Sequence, residues 1–104
     1  MFFLPSKKHD DIAKRIAKKL NAEYNPSQGV DIVTKSKAIE VESSSETVSE
    51  AIMQLQGHND KLKYIAVPDN EVAATIEKTK NTNVGVMDSK GNIKKSAGRP
   101  KKNK

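Results

Sequence analysis

Gly29-Val30-Asp31-Ile32-Val33-Thr34-Lys35-Ser36-Lys37-Ala38-Ile39-Glu40-Val41-Glu42 reads as one β-hairpin. Two runs rich in β-branched residues, 29–33 and 38–42, flank a polar tip at Lys35-Ser36. That tip sets Thr34 opposite Lys37 and Asp31 opposite Glu40. Directly opposed residues share a face, with Cβ atoms about 4.5–5.5 Å apart. Glu42 lies two residues beyond Glu40 and points the same way. The other face then carries Val30, Ile32, Ile39 and Val41. The expectation is a sheet buried through its aliphatic face, with an acidic cluster displayed on the far side. Alternating acids are ordinary on an exposed hairpin, but opposed pairs usually avoid like charge. Carboxylates held this close repel unless a cation sits among them. Carboxylate oxygens with room for water suit Mg²⁺ or the similar Mn²⁺.

Outward from the hairpin, helical and extended patterns alternate. Residues 7–21 repeat apolar side chains at Ile12, Ile16 and Leu20, with Ala13 and Ala17 beside them and lysines opposite. Ala22-Glu23-Tyr24-Asn25 reads as a short edge strand, and Asn25-Pro26-Ser27-Gln28-Gly29 as a turn. Ser43, three residues before Glu46, fits a capping box opening a second helix. Val48, Ala51, Ile52 and Leu55 form its inner stripe, and Gly57 is a suitable stop. Lys63-Tyr64-Ile65-Ala66-Val67 is apolar enough to be a central strand. A third helix follows through Val72, Ala73 and Ile76, then a strand over 83–88 and a turn at 89–92 leading to a short return strand at Ile93. The fold class is α/β, a mixed sheet with helices on both faces, in the order α-β-β-β-α-β-α-β.

A chain of 104 residues is one domain by length, placed here at 1–94 with a disordered basic tail at 95–104. The net charge is +6, yet from Lys90 onward seven residues are basic and none acidic, so the preceding body is close to neutral. A second basic concentration, Lys7, Lys8, Lys14, Arg15, Lys18 and Lys19, falls on the first helix. Both can neutralise phosphates and release counterions. The four aromatic residues are too few for binding single strands by stacking. The absence of cysteine excludes disulfides, thiol catalysis and cysteine-ligated zinc. No Gly-x-x-x-x-Gly-Lys-Ser/Thr loop supports nucleotide hydrolysis. His9 and His58 lack partners at ligand spacing and read as surface or capping residues. The opening Met1-Phe2-Phe3-Leu4 is too short for a signal-peptide core, and no apolar run reaches the roughly 18 residues of a membrane span. A cytoplasmic protein without membrane contact is expected.

The hairpin followed by a capped helix and a strand–helix–strand unit resembles the PD-(D/E)xK nuclease superfamily, in its restriction-endonuclease-like and archaeal Holliday-junction-resolvase-like members. Gly29-Val30-Asp31-Ile32 fits the element carrying the family aspartate, and Ile39-Glu40-Val41-Glu42 the acidic-x-lysine element. Ala66-Val67-Pro68 and Val84-Gly85-Val86 extend the similarity, which covers about residues 8–88. Val30 stands where the family has proline, and Glu42 where it has lysine; some restriction endonucleases of the superfamily carry glutamate there and still cut. Lys35 sits at the hairpin tip and Lys37 opposite Thr34, away from the acids.

The resemblance implies a Mg²⁺-dependent DNA endonuclease acting on branched, damaged or foreign DNA, commonly as a homodimer. It implies Asp31, Glu40 and Glu42 as catalytic residues. Asp31, Glu40, the Val41 carbonyl and an acid of the first helix would hold the metal, with Asp11 or Asp10 as the candidate and Glu23 a third option. Lys14, Lys18, Lys35, Lys37 and Gln54 are the candidate DNA contacts on the body. In the tail, Ala97-Gly98-Arg99-Pro100-Lys101-Lys102 resembles the minor-groove core of an AT-hook, which adds Arg99, Lys101 and Lys102. Two further classes stand beside this one: an inactive nuclease-like DNA-binding module, and a protein-interaction subunit docking through its acidic face.

Overall fold

The first helix, α1 (Lys7–Leu20), buries Ile12, Ala13, Ile16 and Ala17 and leaves its lysines outside. It ends at Asn21, which takes a left-handed backbone (φ 54°) that asparagine tolerates. The computed structural model describes residues 7–25 and 30–98. After α1 come β1 (Ile32–Val33), β2 (Lys37–Val41), a 3₁₀ turn at Ser45–Thr47, α2 (Val48–Leu55), β3 (Leu62–Ala66), α3 (Val72–Lys78), β4 (Gly85–Met87) and β5 (Ile93–Lys95). The five strands form one mixed sheet in sequence order. The β1–β2 and β4–β5 pairs are antiparallel, and β2–β3 and β3–β4 are parallel. The apolar run of β3 lies at the centre, as its composition requires.

The expected hairpin register holds. Ile32 pairs with Ile39 and Val33 with Ala38; the regular ladder stops there, and Asp31, just before β1, is tied to Glu40 and Val41 by side-chain–backbone hydrogen bonds instead. At the tip Thr34 accepts from the Lys37 amide through its hydroxyl (2.9 Å) and donates its own amide to the Lys37 carbonyl (2.8 Å). The expected strand at 22–25 is reduced to a single bridge, Tyr24 to Ile32, with the Asn25 amide bonded to the Asp31 carbonyl.

Both faces of the sheet are covered, and this overturns the expected solvent-facing acids. One face packs Ile32, Ile39, Val41, Tyr64, Ala66 and Met87 against α1. The other packs Ala38, Ile65, Val67 and Val86 under α2 and α3. Glu40 belongs to this second face and is buried with Asp31, each only 6% exposed. Val30 also leaves the face expected for it and joins the α2–α3 cluster, because β1 begins only at Ile32 and alternation does not bind the residues before it.

Two further differences are local. The expected capping box at Ser43 is replaced by a 3₁₀ turn, which the Ser44 side chain caps by accepting from the Glu46 amide; α2 then starts after Thr47, which makes no side-chain cap bond. The boundary expected at 94 also fails. Lys95 is the last residue of β5, and its ammonium donates to the Thr79 and Val84 carbonyls at 2.7 and 2.8 Å. Ala97 packs against the α1 cluster, and the Gly98 amide bonds to the Asn83 carbonyl. Those bonds anchor 95–98 despite their polar composition. Arg99, Lys101 and Lys102 lie outside the described residues. No helix among the described residues is long and apolar enough to cross a membrane.

Candidate metal centre

Asp31 and Glu40 are joined twice across the hairpin. The Asp31 amide donates to Glu40 Oε1 at 3.1 Å, and the Val41 amide donates to Asp31 Oδ2 at 2.9 Å. Both bonds follow from the register, since each carboxylate lies beside the neighbouring strand's backbone. Burial pushes the Glu40 carboxyl well above the carboxylate range, and the adjacent Asp31 charge pushes it further. Glu42 follows directly, with its amide on the Ala66 carbonyl and its carboxylate accepting from the Thr47 hydroxyl. Burial raises Glu42 as well; the Thr47 bond opposes that rise.

His9 enters this cluster from α1, which corrects its reading as a surface residue. Its Nε2 lies 3.2 Å from Asp31 Oδ2. The hydrogen bond to Asp31 raises the imidazole pKa against the opposing effect of burial. Tyr24 closes the other side, donating its hydroxyl to Asp10 Oδ1 at 2.6 Å and lying 3.1 Å from His9 Nδ1. Burial, then the Asp10 bond, raise the Tyr24 pKa. The signal for His9 was present in the sequence. It precedes Ile12 and Ala13 by three and four residues and so shares the inward side of the helix.

The first-helix acid nearest this network is Asp10, through Tyr24 and His9. Asp11 is exposed, pairs with Lys7 at 3.6 Å and faces a different groove, so the structure does not bring it to Asp31. Glu23 is exposed. Lys14 and Lys18 are exposed on α1, Gln54 on α2, and Lys35 at the tip, where its carbonyl accepts from Lys61. Lys37, opposite Thr34, is four residues down β2 from Val41 and apart from the acids.

Among the described residues no three His, Asp or Glu side chains are already arranged around one cation position. The Asp31–Glu40 pair nevertheless suits a Mg²⁺ ion, which commonly takes one or two carboxylates and keeps several waters. The test is the chemistry of the donors. A carboxyl that resists ionisation beside a second carboxylate gains most from a divalent charge. Comparison with protein-family models, curated proteins and solved structures finds no match for this chain.

Proposed function

We propose that this protein is a metal-dependent endonuclease that hydrolyses DNA phosphodiester bonds at the Asp31–Glu40 end of its sheet. The observation that supports it best is the burial of two neighbouring carboxylates in one hydrogen-bonded unit, where burial and the Asp31 charge oppose the ionisation of Glu40. A bound Mg²⁺ or Mn²⁺ would polarise the phosphoryl oxygen and lower the pKa of a coordinated water. Asp31, Glu40 and the Val41 carbonyl are the residues to hold it. The Val41 amide fixes the rotamer of Asp31, and Thr47 holds Glu42 at the rim, where it can take a proton from the attacking water. His9, seated on Asp31, offsets the negative charge of the pair while no metal is bound. The restriction-endonuclease-like topology, branched, damaged or foreign DNA as substrate, action as a homodimer and a cytoplasmic location belong to the same proposal.

The test is incubation of the purified protein with supercoiled and branched DNA and Mg²⁺ or Mn²⁺. Cleavage by the wild type that Asp31→Ala abolishes is the expected result. Equal residual activity in both proteins would remove the assignment. A second reading, a nuclease-like DNA-binding module without catalysis, draws on the Thr47–Glu42 bond, which commits the residue standing at the lysine position. DNA binding with no cleavage under any metal would select it.

A further inference from the structure

We infer a second nucleic-acid contact, a phosphate-binding groove between α1 and the loops that follow β3 and β4, with Lys8 and Arg15 as its cations. The inference rests on the nuclease reading above for the identity of its ligand. The groove holds about 650 Å³ and is lined by Lys7, Lys8, Asp11 and Arg15 on one wall and by Asp69, Asn70 and Ser89 on the other. Ile12 and Pro68 form its floor.

Three observations support a strand of nucleic acid as occupant. The first is placement. β2, β3 and β4 are parallel, so the loops that follow them emerge together at one end of the sheet, the end that carries the candidate acids. Glu40 and Glu42 stand at that end of β2, while Pro68, Asp69 and Asn70 follow β3 and Ser89 follows β4. The loops that line the groove follow the strands one and two places across the sheet from β2.

The second is the first turn of α1, which serves both places at once. His9 reaches Asp31, while its neighbour Lys8 faces the groove. Seven residues on, two helical turns, Arg15 falls on the same side as Lys8. Lys19, four residues further, bonds to the Lys90 carbonyl and to Asn92 Oδ1 and fixes the β4–β5 turn that carries Ser89.

The third is charge. Lys7, Lys8 and Arg15 outnumber Asp11 and Asp69 along the groove: Asp11 pairs with Lys7 at 3.6 Å, and Asp69 keeps its charge while accepting from the Ser89 amide and hydroxyl at 3.2 and 2.9 Å. Lys8 and Arg15 supply the remaining positive charge, and the exposed Asn70 adds an amide donor.

The experiment measures binding of a fluorescein-labelled DNA duplex to the full chain in EDTA across a salt series. The Lys8→Gln/Arg15→Gln variant should bind more weakly and with a slope of log K against log salt flatter by about 1.8, which is about 0.9 for each lost phosphate contact. Lys80→Gln, exposed just past the end of α3 beside Glu77, should keep the wild-type slope. The charge-keeping pair Lys8→Arg/Arg15→Lys should also keep it, and so separates lost contacts from a damaged helix. An unchanged slope in Lys8→Gln/Arg15→Gln, or no DNA binding by the wild type, overturns the groove. A wild type that binds DNA but never cleaves it defeats the nuclease reading alone, and the slope still decides the groove.

Discussion

Asp31 and Glu40 are held together by backbone against the repulsion of their charges: the Asp31 amide donates to Glu40 Oε1 at 3.1 Å, and the Val41 amide donates to Asp31 Oδ2 at 2.9 Å. Hairpin register and carboxylate geometry are therefore one property. A slip by a single residue would turn both acids to the other face and dismantle the site.

Glu40→Gln should flatten the pH dependence of stability. The folded-state pKa of Glu40 is pushed up from an ordinary 4.5 to about 9. The folded protein then holds a proton that the unfolded chain gives up, so stability falls as pH rises through that window. Glutamine keeps the shape and cannot ionise. Urea melts at pH 5 and pH 8.5 should show wild-type stability dropping and the variant nearly level. Saturating Mg²⁺ should raise wild-type stability at the higher pH and leave the variant much less affected.

The His9 imidazole should titrate above its ordinary 6.5 in the wild type, because Asp31 favours its charged form. In sign, this contribution is fully present below the ordinary value and disappears as pH rises through the raised one. Proton NMR of the ring will read the value directly. Asp31→Asn should return it toward 6.5, and added Mg²⁺ should lower it in the wild type by competing for Asp31.

Gly85→Ala should destabilise the domain by about 1–3 kcal/mol, the cost of forcing atoms into a filled core. A Cβ there would lie 2.6 Å from the Ala97 amide nitrogen and the Lys95 carbonyl oxygen, and 2.7 Å from Tyr64 Cε1. Two of these atoms are backbone, which cannot swing aside. The drop should appear in thermal melts together with faster amide exchange on β5.

Lys95→Met should cost about 1–3 kcal/mol through the acceptors it strands. The ammonium serves the Thr79 carbonyl, the Thr79 hydroxyl and the Val84 carbonyl, all on buried residues. Lys94→Met, one residue earlier and half exposed, should change stability far less. Equal losses for the two would show that Lys95 acts as generic tail charge and not as an anchor.

Much of this molecule was legible in its residues. Ile12, Ile16 and Ala17 announced the buried side of α1, and the unbroken apolar run at 64–67 announced the centre of the sheet. The tip at Lys35-Ser36 determined that Val33 would pair with Ala38 and Ile32 with Ile39, because pairing in a hairpin is counted from its turn. Periodicity is a local quantity, and these are the features that local periodicity encodes.

Tertiary packing decided what lies over each face. Alternation sorts residues into two sides but does not say whether a helix will cover the polar one. The parallel crossovers through α2 and α3 did cover it, and buried two carboxylates expected at the surface, raising the pKa of Glu40. The same packing brought His9 to Asp31, and Tyr24 to His9, from segments that share no pattern with the hairpin. It also drew Lys95 into the sheet from what composition alone marks as tail. Contacts between distant segments depend on which surfaces meet after folding, and no spacing along the chain records that meeting.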